Sequence, residues 1–246
     1  MTLALAGIFK DSIILGADTL TTAENREAGD ARYELSHKIE PVLGKWALMF
    51  AGPKYFIVSE GDAHSINFIV RDLFKEALPT VKPIEAFDRI SDFLATAWRK
   101  TSEKVSNLAP FESFFLGYED SKSFYWSFLI SSERGSEKEF YNDKDCHALV
   151  WCGGLETFNK PNYGSAYYAG LSFREGRKLI RGILNDTYRE EIKRIQRPRI
   201  NNKYDIGVIT PEGFYWDLYQ PLKETHLHSE AVKNIGEVEK ANRPSE

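Results

Sequence analysis

Apolar residues open the chain in two short runs, Thr2–Phe9 and Ser12–Asp18, split by the polar pair Lys10-Asp11. Two such runs around a tight polar break predict a β-hairpin, and their lack of clean alternation predicts strands covered on both faces. From Thr19 to Tyr33 the sequence (TLTTAENREAGDARY) turns polar and reads as an exposed loop. Leu35–Val42 and Trp46–Ala51 then predict a second strand pair around Leu43-Gly44-Lys45.

The period changes after that. Between Lys82 and Leu108, the residues Ile84, Phe87, Ile90, Phe93, Leu94 and Trp98 recur at the spacing of one face of an amphipathic helix. Tyr55 to Leu78 has the same character, with Gly61 as a break or kink. Strand-like runs return at Ser113–Tyr118, Ser123–Ile130, Glu137–Tyr141 and His147–Cys152. Gly153–Ala169 is irregular; then Ser172 and Glu175 form a capping box that opens a helix to about Ile195. Asp205–Thr210 and Phe214–Tyr219 flank Pro211-Glu212-Gly213 as a last hairpin. Runs of strands alternating with runs of helices predict an α+β fold, two antiparallel sheets packed together with helices outside. Residues 1–222 read as one domain and residues 223–246 as a polar tail or peripheral helix.

Composition narrows the function classes. The 246 residues carry 32 Lys plus Arg against 36 Asp plus Glu, a net charge of −4, with no basic block. That argues against a general binder of nucleic acid or anionic membrane. Two cysteines, Cys146 and Cys152, are too few for a disulfide framework and fit a reducing, cytoplasmic setting. No apolar stretch reaches the length of a membrane span, and no basic segment precedes the first run as in a signal peptide. Cys146-His147 with Cys152, and His226 with His228, lack the paired spacing of a zinc site, so no metal is expected. No glycine-rich phosphate loop precedes a helix, and no cofactor is expected.

The sharpest chemical feature is Thr2, directly after the initiator Met. Trimming of Met1 before a small residue leaves Thr2 with a free α-amine, whose pKa of about 7.7–8.0 makes it a usable base near neutrality. One residue then supplies both nucleophile and general base. The first hairpin ends in Gly16-Ala17-Asp18-Thr19, the chain returns through His37-Lys38-Ile39, and the next strand ends in Met49-Phe50-Ala51-Gly52.

In these residues the sequence resembles the proteasome β-subunit and HslV-like branch of the N-terminal nucleophile hydrolases, and within it the bacterial proteasome-homologue branches. Thr2, Asp18, Lys38 and Gly52 stand in the order of that family's nucleophile, strand-end acid, lysine and oxyanion glycine. The resemblance covers residues 2–52 well and 82–152 fairly, and returns near 204–219 with Asp205-Ile-Gly-Val-Ile-Thr210. It implies a four-layer αββα sandwich and a threonine peptidase that cleaves peptides or unfolded polypeptide. It also implies a ring-like homo-oligomer, with an ATPase unfoldase as a candidate partner. Phe50, two residues before Gly52, would shorten the main side-chain pocket, and Thr22 would hydrogen-bond an extended peptide through its backbone.

Physical chemistry supports these roles. A Lys38 cation beside the Thr2 amine would lower the amine pKa, Asp18 would hold Lys38, and the Gly52 N–H would meet developing negative charge. The chain also departs from the family. Its Gly-Ser-Gly turn appears as Cys152-Gly153-Gly154-Leu155, without the helper serine. Arg197, Ile200 and Asn201-Asn202 stand where a supporting Asp and Ser would be, and Pro161 and Gly164 interrupt the helix expected after the turn. The alternatives are a non-catalytic scaffold subunit, or an amidohydrolase or peptide ligase that uses Thr2 on a small or specific substrate.

Overall fold

The computed structural model describes residues 3–25, 30–77, 80–141, 147–153, 158, 163–194 and 200–220. Thr2, Cys146, Gly154, Leu155, Pro161, Arg197, His226, His228 and the tail from residue 223 lie outside the described residues.

The first hairpin forms as β1 (Ala4–Ile8) and β2 (Ile13–Asp18), with Ala4 opposite Ala17 and Ile8 opposite Ile13. Both strands are buried throughout because both faces are covered. Ala4, Ala6 and Ile8 face one apolar cluster, while Leu3, Leu5 and Phe9 face another. The polar stretch expected as a loop instead folds into a ribbon, β3 (Leu20–Asn25) paired with β4 (Asp30–Leu35). Polarity hid it, because a two-stranded ribbon satisfies its backbone locally without needing an apolar face, and Thr21 and Thr22 have β-branched side chains that suit a strand.

β5 (Ile39–Val42) and β6 (Trp46–Ala51) form the second pair. Tyr55 to Leu78 is not a kinked helix. It is a hairpin, β7 (Tyr55–Ser59) and β8 (Asp62–Ser65), followed by α1 (Ile66–Phe74). Gly61, at φ 76°, sits in the left-handed region that closes a tight turn. Ser65 then caps the helix by accepting the Phe68 N–H at 3.2 Å. α2 (Pro83–Ser102) is shorter than the predicted helix, with Pro83 in its first turn. Phe87, Ile90, Leu94 and Trp98 are buried as their spacing predicts, whereas Ile84 and Phe93 lie at the exposed edge.

β9 (Phe111–Glu119), β10 (Lys122–Ser131), β11 (Gly135–Tyr141) and β12 (Leu149–Cys152) lie close to their predicted bounds. A short helix that the sequence reading missed, α3 (Ser165–Gly170), precedes α4 (Phe173–Arg194). The capping box is present: Ser172 N and Oγ both donate to Glu175 Oε2, at 2.9 and 2.6 Å. β13 (Tyr204–Thr210) and β14 (Gly213–Leu218) form the final hairpin.

The strands assemble into two antiparallel five-stranded sheets, ordered β12-β1-β2-β13-β14 and β11-β10-β9-β6-β5, and two separate two-stranded ribbons. One cluster, with Ala6, Leu15, Met49, Leu116 and Val150, is shared by the two sheets. A second packs Leu48, Phe115 and Trp126 against α1 and α2, and a third packs Leu5, Ile14 and Ile206 against α4. β6 explains why alternation was missing there too: Trp46, Leu48 and Phe50 face the helices, while Ala47, Met49 and Ala51 face the other sheet. Each large side chain fully buried in these clusters contributes about 1.5–3 kcal/mol of transfer free energy.

The expected four-layer αββα sandwich is corrected to a sheet-rich antiparallel fold. Fourteen strands stand against four helices among the described residues, and two ribbons lie outside both main sheets. α1 and α3 run for only nine and six residues, too short to complete helical layers. No described helix is long and apolar enough to cross a membrane.

Candidate active site

Three predicted site residues sit at strand ends on the same part of the fold. Asp18 ends β2, Lys38 precedes β5 by one residue, and Gly52 follows β6. The Asp18 carboxylate is almost fully saturated. Its Oδ1 accepts the Leu3 N–H at 2.9 Å, and its Oδ2 accepts the Leu20 N–H at 2.9 Å. The same Oδ2 lies 2.9 Å from Lys38 Nζ. Lys38 also donates to the Leu20 carbonyl, so two of its three ammonium hydrogens are used among the described residues. Backbone bonds fix the frame: Asp18 N donates to Leu3 O at 3.1 Å, and Phe50 N donates to Lys38 O at 3.1 Å.

Both charged residues are buried, at 2% exposure for Asp18 and 3% for Lys38. Burial pushes the Asp18 carboxyl up, opposed by the Lys38 charge and by the Leu3 and Leu20 amides. Burial likewise pushes the Lys38 ammonium down, opposed chiefly by Asp18 and then by Cys152 and Asp205. Cys152 lies opposite Ala4 on β12. Burial and the Glu112 charge push its thiol well above the ordinary range, so it is no thiolate nucleophile.

Gly52 adopts φ 125°, where glycine alone is unstrained. A Cβ there would lie 2.5 Å from the Pro110 carbonyl oxygen and 3.0 Å from Phe111 Cα. Phe50 is 5% exposed and packs against Phe111 within the helix-facing cluster, with ring centroids 6.2 Å apart. Thr22 pairs with Tyr33 in the β3–β4 ribbon. The structure thus joins Asp18 to Lys38 directly and Lys38 to β6 through the Phe50 amide, and it seats Phe50 in the core.

Sequence reasoning missed a second polar cluster. Asp205, fully buried, accepts from His37 Nδ1 at 2.7 Å and from the Gln220 N–H at 2.9 Å. Nearby, Thr19 Oγ1 donates to the Lys203 carbonyl at 3.1 Å, and Asn201 Nδ2 donates to Thr19 Oγ1 at 3.1 Å. The available signal was the acid in the otherwise apolar strand beginning Tyr204-Asp205-Ile206. A charge at a covered strand position needs partners. No cluster of three or more metal-ligating side chains occurs among the described residues.

No family model matches the sequence, and no curated protein matches it. Among solved structures, the fold is similar to that of the Anbu (Gly-1) mutant from Hyphomicrobium sp. strain MC1. The TM-score is 0.61 at 14% identity, over 98% of this chain and 94% of that one. At that identity the likeness carries the fold alone. Placement in the proteasome β-subunit and HslV-like branch is therefore corrected: no family model supports it, and the similar structure is an Anbu protein, of a distinct family.

Proposed function

We propose that the chain is a peptidase in which Thr2, exposed by removal of Met1, is the nucleophile. The observation that carries this reading is the buried Lys38–Asp18 pair, whose carboxylate holds the Leu3 amide. Leu3 N is the nitrogen of the Thr2–Leu3 peptide bond, so the amide that the pair holds is the one covalently joined to the proposed nucleophile. Burying two charges is costly, and a reaction centre is the kind of site that repays it.

In this mechanism the Thr2 amine takes the hydroxyl proton as Oγ1 attacks the substrate carbonyl carbon. The Lys38 cation keeps the amine neutral enough to act as base. The Gly52 N–H stabilises the oxyanion, and its missing Cβ lets the backbone hold that conformation against Pro110 and Phe111. The amine passes its proton to the leaving nitrogen as the C–N bond breaks, which leaves an ester on Thr2. Water then adds to the ester carbon, giving its proton to the amine, and the carboxylate product departs as the Thr2 hydroxyl is restored. No metal or redox group enters any step.

Among the described residues β3 pairs only with β4, which supports recognition of an extended peptide along its other edge near Thr22. Phe50 would bound the pocket for the residue before the cleaved bond from behind, through the core. A homo-oligomer is part of the proposal, and mass measurement in solution checks it. The reaction itself is tested by hydrolysis of fluorogenic peptides and of unfolded protein. Wild-type protein should cleave, Thr2→Ala should not, and Thr2→Ser should keep part of the rate. Equal rates for wild type and Thr2→Ala would contradict the proposal.

A further inference from the structure

Beside the Lys38–Asp18 pair lies a second acid with its own partners. Asp205 sits opposite Ala17, the neighbour of Asp18, where β13 meets β2. Its Oδ2 is 2.7 Å from His37 Nδ1 and its Oδ1 accepts the Gln220 N–H. A carboxylate only accepts, so Nδ1 carries the hydrogen. The imidazole lies against the Tyr219 ring, with centroids 4.4 Å apart and 17° between planes. His37 is 15% exposed against 0% for Asp205 and immediately precedes Lys38 in the chain. One carboxylate therefore ties together the strand beside Asp18, the segment that carries Lys38 and the residues just after β14.

We propose that His37 and Asp205 are a positioning pair for Lys38. The Asp205 carboxylate fixes His37 through Nδ1, and so fixes the backbone that sets the Lys38 ammonium against Asp18. The inference rests on the threonine-dependent reaction proposed above. An unpartnered carboxylate at zero exposure would be costly, so the pair exists only while His37 and the Gln220 amide both donate. The groups that face Lys38 are Asp18 from β2, the Leu20 carbonyl from β3, Cys152 from β12 and Asp205 from β13. His37 comes from its own segment, and Glu112 on β9 acts on Cys152. Of these, Asp205 is a negative charge that favours the Lys38 ammonium without touching it. Its loss would let Lys38 shed its proton at lower pH.

The test uses Met-free full-length protein and measures kcat and KM for peptide hydrolysis across pH, in wild type, H37A, H37N and D205N. The asparagine amide can stand near the position of Nδ1 and keep a donor to Asp205. H37A and D205N should lower kcat by about tenfold to a hundredfold with KM little changed, as a displaced catalytic group does. H37N should restore most of the rate, and D205N should move the alkaline limb of kcat to lower pH. The proposal is overturned if H37A and D205N keep wild-type kcat, or lose rate only in proportion to the fraction unfolded with the limb unmoved. Should D205N fail to fold, H37A and H37N decide alone, and equal rates for the two overturn it. A wild type without Thr2-dependent hydrolysis overturns the reaction itself, and that result is read before any variant is compared.

Discussion

Lys38 Nζ and Asp18 Oδ2 lie 2.9 Å apart with side chains 4% and 2% exposed, and the same carboxylate holds the amide of Leu3. Two buried charges so placed are strongly interdependent. Lys38→Met or Asp18→Asn alone should cost about 3–5 kcal/mol, because each strands the other charge. The Lys38→Met/Asp18→Leu double variant should lose much less than the sum of the single changes. Denaturant midpoints of the singles and the double measure this coupling.

Burial lowers the Lys38 pKa from its ordinary value of 10.5. The group is a cation below its folded pKa and neutral above it, so any role of the charge is lost as pH rises through a value under 10.5. The kcat–pH profile should therefore show an alkaline limb below that value. In protein with Lys38→Arg, whose guanidinium stays charged, that limb should vanish from the accessible range while the rate falls. Rates measured from pH 6 to 11 decide it, that span being about that of the groups involved.

A methyl group at Gly52 would meet the Pro110 carbonyl oxygen at 2.5 Å, and the backbone there is at φ 125°. Gly52→Ala should reduce kcat by about 10²–10³, the usual cost of losing an oxyanion donor. Strain should lower stability by about 1–3 kcal/mol. Steady-state kinetics on the folded fraction, with far-UV circular dichroism as a control, separate the two effects.

Phe50 lies in the cluster that joins the β6 sheet to α1 and α2, beside Phe111. Phe50→Ala should destabilise by about 3–5 kcal/mol through the cavity it leaves. It should also shift cleavage toward larger residues before the scissile bond. A peptide-library profile identical to that of wild type would show that Phe50 acts only in packing.

The capping box at the start of α4 gives a prediction of opposite sign in pH. Hydrogen bonds from the Ser172 side chain and amide hold the Glu175 carboxyl below its ordinary value of 4.5. A depressed acid stabilises the fold above its unfolded pKa, and that contribution is lost as pH falls through the folded pKa. Amides in the first turn of α4 should therefore lose protection, relative to their intrinsic exchange rates, as pH falls below the ordinary Glu value of 4.5. Glu175→Gln, which can still accept a hydrogen bond, should show no such acid step.

Much of this was legible in the sequence, and what was not has physical causes. The β1–β2 hairpin, α2, α4 and the last hairpin announce themselves through apolar runs, period and capping residues. Asp18 and Lys38 could be paired only through the family resemblance, because neither residue's local pattern names its partner. The β3–β4 ribbon stayed hidden because its pairing is backbone to backbone and its sequence is polar. β7 and β8 read as helix in the sequence because short apolar runs fit either period, and Gly61 suits a kink as well as a turn. The His37–Asp205 contact joins residues 168 positions apart, and local spacing carries no trace of it.

Whether Thr2 carries both nucleophile and base is decided by intact mass after incubation with a peptide epoxyketone. That probe closes a ring with the hydroxyl and the amine of an N-terminal threonine. The expected result is a Met-free chain that gains one adduct, absent in Thr2→Ala. A chain that retains Met1 in its native cell, or a Met-free chain that gains no adduct while folded and assembled, would contradict it.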